Sequence, residues 1–372
     1  MKFPKYLILS LHILMAGCTP SVIPENLIMV NLDVEMEEPS FIDIFESLTI
    51  IPLETTDSSL IVRGEIYELW NDTLFVMDKL QNEVFMFNMS GQFLKRLNKY
   101  GEGPEEFTTP LDMKINRFTG NMEILSVDGY IKIYKSDFST FIGSIKLPTY
   151  YIHSFHHVSP DVYAFYFDNK QTYSLNLYSV SENKILGNAW SPLPAFSMTG
   201  FLANDPFFVN DNELYLYQGY DGSIFRVNHK EPYMDLLYGW DFGKHTFDAE
   251  DVPEGKDVKF YHDLYMTGSK GKALGFVPCR MNNNYIYSRF RYNNQYVYSF
   301  YNKDKQAVKV FHKFKEGFFP AIDKVTDEYM YCMVPFGLLD SVMADELLNE
   351  KNLDMLKALN DDSNPCLVMY IF

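Results

Sequence analysis

Basic charge is scarce in this 372-residue chain, with 32 Lys and Arg against 49 Asp and Glu and a net charge of −17. A field of that sign repels a phosphate backbone, so nucleic acid is excluded as a natural partner, while glycans, peptides, cations and other proteins stay open. Cysteine is also scarce. Beyond Cys18 the chain has Cys279, Cys332 and Cys366, an odd number that leaves at least one thiol unpaired in an exported protein. Cys332 and Cys366 fall in strand-like runs and could be neighbours; buried free thiols behaving as small hydrophobes are the alternative. Past the N-terminus no segment holds the roughly 18 continuous apolar residues of a membrane-spanning helix. Catalytic signatures are missing as well: there is no Gly-x-Ser-x-Gly, no His-Glu-x-x-His and no Walker loop, and Gly101-Glu102-Gly103 runs into Pro104-Glu105-Glu106 rather than into a dinucleotide fingerprint. Ser181-Glu182-Asn183-Lys184 spells Ser-x-x-Lys, but in a polar turn rather than at the start of a buried helix, which marks a chance match.

Aromatic residues, in contrast, are abundant. The 31 Phe and 27 Tyr within a 47% hydrophobic composition favour pleated, half-buried strands over helices. All-β folds of this length can form one cooperative unit, so length alone does not demand two domains.

Residues 1–17 read as a signal peptide. Lys2 and Lys5 form a basic start, Tyr6 to Ala16 an apolar run, and Ala16-Gly17 are small residues before Cys18. Leu14-Met15-Ala16-Gly17-Cys18 resembles a bacterial lipobox, with Met15 where leucine is more usual. That makes Cys18 the expected lipid attachment site and tethers the mature chain to a membrane. Residues 18–40 are then expected to be a lipidated stalk with one added strand in Leu27–Val30, and residues 41–372 the folded domain.

Strand-like units recur along that domain. The first spans about Ile61 to Leu97, the second Leu111 to Ile145, the third Ser154 to Trp190 and the fourth Pro206 to Trp240. A charged stretch from Asp241 to Lys272 reads as an insertion with a short helix near Val258–Met266, a natural place for binding on a rigid scaffold. A fifth unit covers Phe276 to Phe314. The sixth is incomplete: after Glu328–Val334 the spacing turns helical over Ser341–Leu359, with Leu347, Leu348, Leu353, Leu356 and Leu359 on one stripe, before a terminal strand at Cys366–Phe372. The strand missing from it can come from Phe41–Leu53. The expectation is an all-β, six-bladed β-propeller of four-stranded antiparallel blades, with a short C-terminal helix inserted in the last blade. Ring closure of this kind removes exposed sheet edges.

Three groups of residues invite a functional reading. Lys99–Phe107, KYGEGPEEF, joins units one and two; Gly101 and Gly103 can take positive φ, Pro104 fixes φ, and Phe107 can plug the groove between blades. Glu102, Glu105 and Glu106 there could instead hold a divalent cation, if further oxygen ligands lay within reach. His153 and His157 share a face by alternation and could both look into a central cavity, although partly buried, hydrogen-bonded imidazoles are the simpler expectation. Tyr285, Tyr287, Arg289 and Arg291 also alternate onto one face, where rings and guanidinium groups suit sugars or carboxylated ligands; inter-blade packing is the competing role. Trp70, Trp190 and Trp240 are expected at blade interfaces.

Ile51-Pro52-Leu53-Glu54-Thr55-Thr56, the Leu74–Leu97 blade running into Gly101–Phe107, and Asn364-Pro365 before the last strand together resemble the six-bladed β-propeller lipoprotein family related to NHL-repeat and TolB-like propellers. The likeness covers nearly the whole chain, although the glycine-proline turn occurs once rather than in several blades. It implies a propeller fold and an exported address, and no catalytic residues. Together with the missing motifs, it points to a lipid-anchored binding or scaffold module for a glycan, a peptide or an envelope protein. A lyase or hydrolase of sugars or lactones at the channel mouth is the alternative, and a purely structural adaptor a third reading. No cofactor is required. The expected location is the cell envelope, and Thr19–Pro24, without an acidic run after Cys18, favours the periplasmic face over the cell surface.

Overall fold

A computed structural model describes residues 24–148, 152–167, 175–190, 205–248, 252–253, 256–257, 259–260, 263–264 and 270–372. Its strands form six sheets around a ring, one five-stranded and five four-stranded. The inner strands are Ile66–Trp70, Pro110–Ile115, Ile152–His157, Phe207–Asn210, Cys279–Met281 and Lys324–Val325, from blade one to blade six. Each blade is an antiparallel meander outward from its inner strand.

Local chemistry explains the meanders. Asn71-Asp72, Asp211-Asn212 and Asn293-Asn294 all have positive φ, and each pair closes a two-residue hairpin. Asparagine and aspartate tolerate that conformation, and such turns match the right-handed twist of the strands they join. The last blade closes the ring as expected: Ser47–Pro52 pairs antiparallel with Cys366–Ile371, which pairs in turn with Tyr329–Val334. In the segment expected to act as a stalk, Asn26–Met29 forms the added strand, lying parallel along Met234–Asp241 at the outer edge of blade four.

Core clusters fill the seams between blades. The largest packs Phe41 and Phe45 with Phe300, Phe311, Phe314, Phe318 and Tyr370, joining blades five and six. Glu316 fixes the approach of this N-terminal segment, its carboxylate accepting from the Ser40 hydroxyl at 2.6 Å and from the Phe41 amide at 3.0 Å. Trp240 stacks with Phe242 in the seam between blades four and five and donates to the Gly222 carbonyl at 3.1 Å. Trp70 is partly buried between blades one and two. The Trp190 side chain and most of Val258–Met266 lie outside the described residues.

The helical stretch is shorter than its spacing suggests. Only Glu350–Leu356 is α-helix, preceded by 3₁₀ turns at Phe336–Ser341 and Asp345–Leu347. Asn349 caps it by accepting from the Asn352 amide, and Asn352 donates to the Ile50 carbonyl at 2.8 Å. The leucine stripe holds, with Leu348 buried and Leu347, Leu353, Leu356 and Leu359 packed on the last-blade core. Cys279, Cys332 and Cys366 are all free and buried.

The KYGEGPEEF turn joins blades one and two. The Gly101 amide donates to the Phe107 carbonyl and the Phe107 amide to the Lys99 carbonyl, at 3.0 and 2.9 Å. Phe107 is fully buried among residues of both blades. Tyr134 and Lys132 of blade two donate to the Glu105 and Pro104 carbonyls. One detail corrects the sequence reading: neither Gly101 nor Gly103 has positive φ. What a larger residue would meet is the Glu106 side chain. The Glu106 carboxylate folds back to accept from the Gly103 amide at 2.8 Å, and a Cβ on Gly101 would stand 2.0 Å from its oxygen.

Candidate functional site at the channel mouth

Where the inner strands begin, the ring opens into a cavity of about 740 Å³. This lies within the range of small-ligand pockets, roughly 300–1,000 Å³. Its floor is a buried ion cluster. Lys114, on the inner strand of blade two, has a fully enclosed side chain and reaches Asp205 at 2.8 Å, Asp112 at 3.0 Å and Glu68 at 3.5 Å. Lys324 of blade six meets Glu68 and Asp205 at 3.4 and 3.8 Å. Asp205 also accepts from Ser154 at 3.1 Å, and Asp112 from the Phe155 amide. Side chains from blades one, two, three and six therefore share one network, together with Asp205 just ahead of blade four.

Burial works against the Lys114 ammonium, but Asp112, Asp205 and Glu68 outweigh it and hold its pKa well above the usual lysine value. Burial likewise opposes the Asp205 carboxylate, and Lys114 and Lys324 override it, leaving this acid well below the usual range. Asp112 is raised, chiefly by burial. Arg280 of blade five enters from the other side, with its Nη2 3.6 Å from Asp323, its Nε on the Asp323 carbonyl, and its guanidinium over the Tyr217 ring.

The rim is held by Asp78, a buried carboxylate at the end of the second strand of blade one. It accepts from the backbone amides of Val62, Arg63, Leu80 and Gln81 and from the Gln81 side chain. Burial raises its pKa, but these donors more than compensate and leave it lowered. Asp78 thereby pins the loop that presents Arg63 and Glu65 to the cavity and sets the start of the turn carrying Lys79.

The histidine pair separates. A register shift between Ile152 and Ser154 breaks strict alternation, so His153 is exposed and lines the cavity while His157 is fully buried. His157 Nε2 lies 2.9 Å from Glu123, whose carboxylate also accepts from the Tyr163 hydroxyl and from Asn116. This is a buried polar knot between blades two and three, in which His157 Nδ1 has no hydrogen-bond partner among the described residues. The shared face of Tyr285, Tyr287, Arg289 and Arg291 does form, but its members have different roles. Tyr285 stacks on Phe372 and Tyr287 is buried in the seam between blades five and six. Both guanidinium groups lie over Tyr296, at 4.9 and 5.2 Å, and of the four only Arg289 lines the cavity. Glu102, Glu105 and Glu106 do not converge: Glu106 turns back on Gly103, and Glu105 faces Lys99 at 3.7 Å. Among the described residues no three His, Cys, Asp or Glu side chains are grouped to hold a metal.

The ion cluster escaped the sequence reading. Its signal was present: Leu111–Ile115 and Ala321–Val325 are apolar runs opening inner strands, yet they contain Asp112, Lys114, Asp323 and Lys324. A charge inside the strand nearest the axis has only the channel to face.

Ring, seams and mouth define a six-bladed β-propeller with a ligand-sized cavity at one end of its channel. The chain belongs to the DUF4934 family, described as a domain of unknown function, whose profile matches residues 27–371. Among solved structures it is similar to a candidate exported protein, BF0058, from Bacteroides fragilis NCTC 9343, at 14% identity and a TM-score of 0.74, with 92% of this chain and 99% of that one covered. A DUF4221 member from Bacteroides vulgatus ATCC 8482 shares the fold at 11% identity and a TM-score of 0.50, covering 88% and 97% of the two chains. No curated protein matched.

Proposed function

We propose that the chain is an exported, lipid-anchored binding or scaffold module, related to NHL-repeat and TolB-like propellers, that takes its ligand at the channel mouth. The observation that carries this reading is the cavity itself: about 740 Å³, open at one end, on a floor whose charges are already paired and therefore preorganised. The export sequence ending at Cys18 supports an envelope address, as does the similarity to a candidate exported protein. Glycans, peptides and an envelope protein are the ligand classes in view. The sugar or lactone enzyme is the weaker reading, because His157 is held by Glu123 away from the cavity and the floor carboxylates are tied to Lys114.

A thermal-shift screen of the chain against glycans, peptides and divalent ions tests this, since any ligand of the folded state raises the melt with concentration. Stabilisation by a glycan or peptide is expected; stabilisation by a metal alone would favour the enzyme. Protease treatment of intact cells tests the address, where protection until lysis is expected for the periplasmic face.

A further inference from the structure

The cavity carries a different charge balance from the molecule that surrounds it. Acidic residues dominate the chain, 49 to 32, yet six cationic side chains line the cavity beside four carboxylates. Four of the six are matched. Arg63 pairs with Glu65 at 2.9 Å, Arg280 with Asp323, and Lys114 and Lys324 with the Asp112, Asp205 and Glu68 group. Two are not: among the described residues, Lys79 and Arg289 have no carboxylate within ion-pair distance.

Both are built in rather than loose. Arg289 donates Nε to the Val277 carbonyl at 2.7 Å and rests its guanidinium on the Tyr296 ring, which fixes the plane of the group and leaves its two Nη atoms without a hydrogen-bond partner among the described residues. Lys79 is half-buried beside the Asp78-pinned loop, and burial lowers its pKa. A guanidinium held in plane with two donors unused is the arrangement that receives a carboxylate in two parallel hydrogen bonds. A half-desolvated ammonium in the lining of the same cavity, on blade one where Arg289 is on blade five, is stabilised by any anion that replaces lost water.

Resting on the reading of the cavity as the ligand seat, we infer that its ligand is a small carboxylate-bearing molecule, with the carboxylate on the Arg289 fork and Lys79 as a second cationic contact. Acidic saccharides and acidic peptides share this chemistry. The charge of the molecule makes the recognition local: the overall field repels an anion, and the attraction comes from the cationic lining, where these two groups are not offset by a paired carboxylate.

Calorimetry on the full chain tests the inference with four probes: a uronic-acid disaccharide, its neutral methyl ester, an acidic dipeptide and its amide. At least one acid is expected to bind while its neutral counterpart does not, and the two acid arms tell saccharide from peptide. Arg289→Gln should weaken that binding about tenfold or more, the loss expected for a charge-assisted pair, and Lys79→Gln should weaken it less. Arg289→Lys keeps the charge without the fork and should fall between wild type and Arg289→Gln. Unliganded, Lys79→Gln should melt like wild type, and both Arg289 variants should stay folded, with a melt lowered only by the lost Val277 bond and ring contact. Binding of a neutral probe as tight as its acid, unchanged in Arg289→Gln, would overturn the carboxylate inference. If Ala321→Trp, which crowds the cavity wall, abolishes that binding, the cavity stays the seat; if it does not, the seat falls too. Val277→Trp repeats this arm should Ala321→Trp melt early. No binding by either acid would also overturn the inference.

Discussion

Two acidic regions of this molecule behave in opposite ways. The KYGEGPEEF turn gathers three glutamates in five residues, and two of them turn back on it: Glu106 caps Gly103 and Glu105 faces Lys99, while Phe107 locks the seam below. The channel mouth draws single charges from strands far apart in sequence, and they meet only when the ring closes. A loop can satisfy its own charges locally. Inner-strand charges have less of that freedom: Asp112 and Lys114, two apart on one face of their strand, meet each other, but Glu68, Asp205 and Lys324 reach the cluster from elsewhere in the ring. Clustering in sequence therefore marked a joint, and scattering marked a site.

The contrast can be broken at several strengths. Lys114→Met should have the largest effect, destabilising by about 3–5 kcal/mol in urea unfolding, because it strands Asp112 and Asp205 in the interior without their counter-charge. Phe107→Ala should cost about as much, roughly 3–5 kcal/mol, by emptying the blade joint. If Phe107→Ala were nearly neutral, the turn would not be a joint. Gly101→Ala should destabilise by less, and a double-mutant cycle with Glu106→Ala should show a coupling of about 0.5–3 kcal/mol, since the clash is with the Glu106 carboxylate. Additive effects would show that the Glu106 carboxylate is not what Gly101 has to avoid.

Acid should weaken mouth and rim together. The folded-state pKa values of Asp205 and Asp78 both lie below their unfolded values, so their contributions are in place above the ordinary carboxylate range, near pH 4, and are lost as pH falls below it. Urea midpoints between pH 7 and pH 3 should fall less steeply in Asp78→Asn than in wild type. A parallel fall would show that Asp78 is not held in its charged form. The smallest effects belong to the unmatched cations: Arg289→Gln should cost about 1–2 kcal/mol, the loss of its bond to the Val277 carbonyl and of its ring contact, and Lys79→Gln should change stability by no more than about 0.5 kcal/mol.

Much of the fold was legible because alternation and turns are local. Strand-like runs recurred unit by unit, and the spare strand in Phe41–Leu53 fitted the incomplete last unit, where Ser47–Pro52 does pair with Cys366–Ile371. What was not legible depends on distant neighbours. Nothing in Asn26–Met29 names blade four as its partner, nor does the leucine stripe reveal that Phe336–Leu347 would wind into 3₁₀ turns rather than α-helix. The separation of His153 from His157 rests on a one-residue irregularity that alternation cannot foresee. Of the expected site residues, Arg289 and His153 reached the cavity; Lys79, Arg280 and the Lys114 cluster were found only once the blades were in place.

The central claim is that the ligand sits at the mouth of the channel. Hydrogen exchange on the full chain, mapped with and without a saturating bound ligand, tests it most directly. The account expects protection to concentrate in residues 63–67, 277–289 and 321–324, which converge on the cavity from three blades. Protection confined to the outer strands, or to the 99–107 turn, would contradict it.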